Sequence, residues 1–222
     1  MIKRLFDIVG SLIGLVVLSP VFLVVSGLIR IDSGGPVFYR GLRAGRYGTP
    51  FKIFKFRSMV ADADRVGGPS TPEDDPRITR VGAWLRRYKL DELPQLINVL
   101  RGEMSFVGPR PEVFSETQGY TPEERRLFDV QPGITDWASI RFRNEGEILR
   151  GSSDPHCLYQ EKIRPEKIRL GLAYVDRRSF AVDLKILFET LRILLVPGAH
   201  YKLPREIAGE VNLDGCLQSQ HR

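Results

Sequence analysis

The chain has 222 residues and a formal net charge of +6, with a sequence pI near 9.5. Its two cysteines, Cys157 and Cys216, show no CxxC or Cys/His spacing; this excludes a disulfide framework and fits a reducing compartment. The basic residues are interspersed with acids and carry no nucleic-acid motif, so the positive charge points to anionic lipid headgroups and phosphorylated substrates, with no nucleic acid.

Residues 8–29 form a 22-residue run without a charged side chain, with Ser19-Pro20 near its centre. As a straight helix the run is about 33 Å long, enough to cross a bilayer core. Pro20 lacks the N–H that the Val16 carbonyl would accept from, and its ring clashes there. Cations flank both ends, Lys3 and Arg4 before the run and Arg30, Arg40, Arg43 and Arg46 after it. Positive charge favours the cytoplasmic side. A re-entrant helix broken at Ser19-Pro20 satisfies both flanks; a spanning anchor is the rival. The Ser19 hydroxyl is one candidate partner for the Val16 carbonyl. The run is too long for a signal peptide and lacks a cleavage site.

Ser33 to Pro36 make a turn. Residues 36–40 and 51–57 are rich in aromatic and β-favouring types, and the Gly-rich stretch 44–49 between them makes a hairpin loop. Residues 66–77 read as an exposed loop. Helices are expected over 81–88 and over 93–100, the second with Asp91 as N-cap and Gly102 at its stop. Residues 103–115 read as loop. Thr121 then opens a helix to residue 128, and another follows over 165–176. Residues 183–196 set Leu184, Leu187, Phe188, Leu191, Leu194 and Leu195 at helical spacing. That stripe either packs into a core or lies in the headgroup plane. The expected fold is α+β and mainly helical: a re-entrant membrane helix over 1–32, a catalytic domain over 33–202 with a short β-hairpin or small sheet and amphipathic interfacial helices, and a polar tail over 203–222.

The densest polar signals lie between Lys55 and Arg110. Asp91 and Glu92 are adjacent carboxylates among Arg86, Arg87 and Lys89, with Arg101 and Arg110 further on. Carboxylates hold Mg²⁺ while Arg forks and Lys neutralise phosphate oxygens. The plainer reading of the same pair is a helix cap beside a dipole-favoured Glu. His156, His200 and His221 are scattered and read as surface or loop histidines.

Taken in order, KRLFDIVGS, Ser19-Pro20, GPVFYR, KFRSM, LDELPQLINVLRGEMSFVGPRPE, VQPGIT and DLKILFET cover nearly the whole chain. The sequence resembles the bacterial sugar transferase family, the monotopic polyprenyl-phosphate phosphoglycosyl transferases. That resemblance implies transfer of a sugar-1-phosphate from a nucleotide sugar, with UDP as the expected carrier, to polyprenyl (undecaprenyl) phosphate. It implies Asp91 as nucleophile and carrier of a phospho-aspartyl intermediate. Glu92 is implied as its partner, Asp91 and Glu92 as Mg²⁺ ligands, and Lys55, Arg86 and Arg110 as phosphate-binding residues. The implied setting is the cytoplasmic face of a bacterial inner membrane, at the first membrane step of surface glycan synthesis, with membrane lipids, a homodimer and downstream glycosyltransferases as further partners. Arg57 in KFRSM is a further substrate-binding candidate. Lys89 stands where the family commonly has Ser, and Asp136 interrupts the frequent PGITGWAQ pattern. Residues 133–150 are therefore expected to help select the donor, with Arg141 and Arg143 meeting a phosphate or base; pairing with Glu145 and Glu147 is the alternative. The competing function is a catalytically inactive membrane-anchored scaffold or regulator of a glycan assembly complex.

Overall fold

In the computed structural model, which describes residues 1–68, 70–196, 203 and 207, the apolar run is two helices, α1 (Ile2–Val17) and α2 (Ser19–Asp32), bent by 60°. The break lies where the missing proline N–H puts it. Pro20 sits in the first turn of α2, where no N–H is needed. The Ser19 hydroxyl donates to the Val16 carbonyl at 2.8 Å, filling the vacancy. Among the described residues no single helix is long and apolar enough to cross a membrane, while the bent pair passes that test together.

The cations before the run do more than flank it. Lys3 Nζ donates to the Val107 carbonyl at 2.9 Å and to Asp183 at 2.6 Å. Arg4 bonds the Val99 and Leu100 carbonyls at 2.6 and 2.8 Å, closing a helix C-terminus that has no intrahelical donors. Buried Asp7 accepts from the Ser105 hydroxyl and the Phe106 N–H, both at 3.1 Å. The first turns of α1 are thus tied to the remainder of the chain by side chains that a purely membranous helix would not carry.

The hairpin forms as expected but in two antiparallel pieces. β1 (Phe38–Tyr39) pairs with β4 (Lys55–Phe56), and β2 (Leu42–Ala44) pairs with β3 (Pro50–Lys52). Its tip turns through Tyr47 at φ 59° and Gly48 at φ 71°, the left-handed region a tight turn requires. A short α3 (Ala63–Val66) precedes the 66–77 loop. Then comes α4 (Arg80–Arg87), capped by the Thr79 hydroxyl accepting from the Gly82 N–H.

Two expectations need correction here. The second helix, α5, runs Gln95–Arg101 and does not begin at Asp91. Leu90–Glu92 is a single 3₁₀ turn entered through Lys89 at φ 57°. Leu93 and Pro94 already hold right-handed helical angles, so Asp91 occupies no capping position and its side chain is free for other work. The segment 103–115 is not all loop: β5 (Ser105–Val107) pairs in parallel with β6 (Gly133–Thr135). Gly102 does end α5, at φ 81°.

Thr121 and Glu124 form a reciprocal capping box at 2.8 and 3.2 Å, yet the turn that follows, Glu124–Asp129, is 3₁₀. Next come α6 (Trp137–Arg141), α7 (Glu145–Leu149) and α8 (Pro155–Leu158), none of them read from the sequence. A π-turn over Tyr159–Ile163 leads into α9 (Arg164–Arg177) and then α10 (Phe180–Leu195). The largest core packs α6, α9 and α10 on β5 through Val107, Trp137, Leu170, Tyr174, Ile186 and Ile193. A second core joins α2 to α4 and β4 through Val25, Ile29, Leu85 and Phe56.

On α10 the predicted leucine stripe points outward. Phe188 is 65% exposed and Leu195 76%, with Leu184, Leu191 and Leu194 also exposed and Leu187 half-buried, while Ile186 and Ile193 take the core face. The exposed sides of α1 and α2 are likewise apolar, from Leu5 through Val17 to Leu28. Pro197 and Gly198, the turn-forming pair expected to end this helix, lie outside the described residues, as do His200, Cys216, His221 and nearly all of the 203–222 tail. The chain is mainly helical with small sheets.

Candidate active site

The 3₁₀ turn at Leu90–Glu92 sits between α4 and α5 against β4, and this brings KFRSM, LDELPQ and GPRP together. Lys55 on β4 donates to Glu92 Oε1 at 2.9 Å. Arg110 grips the same carboxylate with both terminal nitrogens, Nη1 to Oε2 at 3.0 Å and Nη2 to Oε1. The approach of Arg110 depends on the parallel β5–β6 pair, which runs directly into Gly108-Pro109-Arg110. Burial alone would raise the Glu92 pKa, but Arg110 and Lys55 together hold it well below the usual carboxylate range. Glu92 in return raises Arg110, while burial pulls Lys55 down.

Asp91 is the opposite case. The residue is 6% exposed, and among the described residues nothing hydrogen-bonds its buried Oδ1. Burial, and then the neighbouring Glu92 charge, push its pKa up. Two adjacent carboxylates are therefore driven apart in character, one clamped and anionic, the other unengaged. A buried acceptor left unsatisfied costs roughly 1–3 kcal/mol, and such orphans belong where a ligand completes the shell.

Beside the pair opens a cleft lined by five cations, Arg43, Lys55, Arg86, Arg110 and Lys167; Asp91 and Glu92 are not among its lining residues, and Lys55 and Arg110 connect it to Glu92. Arg86 also donates to the Thr71 carbonyl at 3.4 Å. Of the sequence candidates, Asp91, Glu92, Lys55, Arg86 and Arg110 converge. Arg57, Arg141 and Arg143 do not line the cleft. Arg57 is buried and its guanidinium holds the Ser33 and Gly34 carbonyls at 2.6 and 2.7 Å, locking the turn that leaves α2. Arg141 faces Glu166 at 3.5 Å, and Arg143 donates to the Ile193 carbonyl at 2.7 Å near the end of α10. Neither meets Glu145 or Glu147. Asp136 caps α6, accepting from the Ser139 N–H at 2.7 Å.

Sequence reasoning missed several cleft residues. The sequence presents Arg43 only as a charge flanking the apolar run, His156 only as a loop histidine, Glu112 only as the last letter of GPRPE and Glu145 only as the alternative partner of Arg141 and Arg143; Tyr159 and Lys167 carry no local signal. All line the cleft. They arrive from segments far apart in sequence, so only the folded chain assembles them.

Among the described residues no group of three or more His, Cys, Asp or Glu side chains could hold a metal by itself. A magnesium ion does not require one, since it keeps several waters and binds through one or two carboxylates plus substrate phosphates. The unpartnered Asp91 Oδ1 suits such a ligand. Glu92 suits it less, because Lys55 and Arg110 already occupy both of its oxygens.

The profile of the family described as bacterial sugar transferase matches residues 1–197. The uncharacterized sugar transferase EpsL of Bacillus subtilis is 39% identical over 195 residues, 88% of each chain. The exopolysaccharide production protein PSS of Rhizobium leguminosarum is 41% identical across 86% of this chain and 93% of its own length. The UDP-glucose:undecaprenyl-phosphate glucose-1-phosphate transferase of Escherichia coli is 40% identical across 86% of this chain, which spans 39% of that longer protein. The chain belongs to the bacterial sugar transferase family.

Proposed function

We propose that this enzyme moves a sugar-1-phosphate from a nucleoside diphosphate sugar, with UDP as carrier, to polyprenyl phosphate through a covalent adduct on Asp91. The observation that carries the reading is a buried carboxylate with an unpartnered oxygen beside a carboxylate clamped by Lys55 and Arg110, two cations that also line the adjoining cleft. The names of the relatives agree with this substrate pair.

In the first half-reaction an Asp91 oxygen attacks the phosphorus that bears the sugar. The bond from that phosphorus to the bridging oxygen breaks, and nucleoside monophosphate leaves with the oxygen and the electron pair. In the second, a phosphate oxygen of the polyprenyl acceptor attacks the same phosphorus and the Asp91 bond breaks, giving polyprenyl diphosphate sugar. One phosphoanhydride replaces another, so the demand on the protein is charge neutralisation and in-line placement. Arg86 and Arg110 meet the phosphoryl oxygens. Glu92 fixes Arg110 and Lys55 in place, which lets their charge act without reorganising. Asp91 would hold a magnesium ion through its unpartnered oxygen, and the ion would supply positive charge to the donor diphosphate.

The acceptor's tail remains in lipid, which calls for a site at headgroup depth. The bent α1–α2 pair, entering and leaving on the cytoplasmic face of the bacterial inner membrane, and the outward apolar stripe of α10 supply that placement. Intact-protein mass spectrometry after incubation with a nucleotide sugar and no acceptor tests the mechanism. The expected result is a sugar-phosphate mass on the wild-type chain that is absent from Asp91→Asn, with nucleoside monophosphate release lowered by roughly three orders of magnitude or more. An Asp91→Asn chain that still acquires the adduct would refute the assignment.

A further inference from the structure

The cleft is not uniformly cationic. A pocket for a diphosphate alone gains nothing from carboxylates, which repel the substrate. Yet Glu112 and Glu145 line it, together with Tyr159, His156 and Lys167. These residues form a connected wall. The Tyr159 hydroxyl donates to both Glu112 oxygens at 3.3 and 3.4 Å. Lys167 pairs with Glu145 and sits 4.8 Å over the Tyr159 ring. His156 Nδ1 lies 3.1 Å from the Ser70 hydroxyl, joining the wall to the loop after α3. Among the described residues Glu112 forms no salt bridge and the Tyr159 hydroxyl is the one side chain that hydrogen-bonds it, so its oxygens keep acceptor capacity.

Charge divides the cleft. The Lys55, Arg86 and Arg110 side adjoins the Asp91–Glu92 pair and takes the anionic end of the donor. The acid and tyrosine side is left for a part of the donor that is neutral and rich in hydroxyl donors. Resting on the function proposed above, we infer that Glu112, Glu145 and Tyr159 form a specificity wall that reads the ring hydroxyls of the nucleotide-sugar donor. Ring hydroxyls occur on both the transferred sugar and the ribose, and carboxylates accept from either. Donor choice thus resides in part in the segment around 145–167, through Glu145 and Tyr159, and not in Arg141 or Arg143, which the fold uses elsewhere.

The test compares kcat/KM ratios, which are insensitive to the fraction of folded enzyme. Full-length Glu112→Gln, Glu145→Gln and Tyr159→Phe are each assayed for nucleoside monophosphate release with two donor pairs. UDP-glucose against UDP-galactose varies one sugar hydroxyl; UDP-glucose against its 2′-deoxyuridine counterpart varies one ribose hydroxyl. The same pairs are titrated calorimetrically onto each variant combined with Asp91→Asn, which requires no turnover. At least one ratio should move fivefold or more in at least one variant. A shift in the first pair assigns the wall to the sugar, and a shift in the second assigns it to the ribose. Ratios unchanged in all three variants, including a uniform gain or loss for every donor from the altered charge, overturn the inference. Donors that bind with shifted ratios yet release no nucleoside monophosphate from wild type would leave the wall standing and reject the proposed reaction instead.

Discussion

At the scale of single residues, two neighbouring carboxylates with identical chemistry acquire opposite roles from what touches them. Glu92 is neutralised by a bidentate Arg110 and by Lys55; Asp91 is buried with an oxygen that nothing satisfies. On acidification the first proton taken up by the pair therefore belongs to Asp91, whose pKa burial and the Glu92 charge have raised. Under the proposed mechanism the acid limb of the first half-reaction lies above the ordinary carboxylate value of about 4, with activity falling as pH drops and Asp91 protonates; a pH profile of nucleoside monophosphate release checks this. Arg110→Lys keeps the charge and loses the fork, so kcat/KM should fall about a hundredfold despite the conservative substitution. Steady-state kinetics with a single donor measure it. Asp91, Glu92, Lys55, Arg86 and Arg110 were legible because they sit in dense local motifs. Arg57 sits in one too, and there the motif misled: the same cation type serves a turn as readily as a phosphate, and only the carbonyls around it decide.

At the scale of elements, the parallel pair of β5 and β6 was invisible in the sequence because each strand has only three residues and neither shows two-fold alternation. It forms because two glycines allow the backbones to touch: a Cβ on Gly133 would lie 2.1 Å from the Gly108 nitrogen. Gly133→Ala should therefore cost on the order of 3 kcal/mol through overpacking. Because β5 delivers Arg110 to Glu92, activity should fall along with the melting temperature; thermal unfolding and turnover measured on the same preparation check it. The α1–α2 bend is the contrary case. Its cause is local, a proline without an N–H and a serine hydroxyl that replaces it at 2.8 Å, so it was readable from two adjacent letters.

At the scale of the molecule, two apolar surfaces lie outside the cores among the described residues: the outer faces of α1 and α2, and the α10 stripe headed by Phe188. Contiguous exposed surface of this kind marks a partner or a membrane. The double substitution Phe188→Asp and Leu191→Asp removes no core contact, since both side chains face out, so folding should persist. Because α1 and α2 keep their own apolar face, the chain should still co-sediment with vesicles containing anionic lipid, while turnover with polyprenyl phosphate embedded in those vesicles should drop at least tenfold. Opposite this surface, Lys3, Arg4 and Asp7 fasten α1 to β5, α5 and α10. The bent α1–α2 pair and the candidate site are consequently one structure: Lys3 holds the Val107 carbonyl three residues before Arg110.

What the sequence determined by itself is whatever depends on near neighbours along the chain: the broken apolar helix, the hairpin, the turn opened by Thr121, the acidic pair and its flanking cations. Tertiary structure decided which way the α10 stripe faces, that Asp91 caps nothing, and which cations reach the cleft. It also decided that Glu112, Glu145, His156, Tyr159 and Lys167 share one wall. The physical reason is range. Propensity, capping and missing donors act within a turn or two of helix, whereas burial and charge pairing are settled by packing between segments tens of residues apart, which no local pattern encodes.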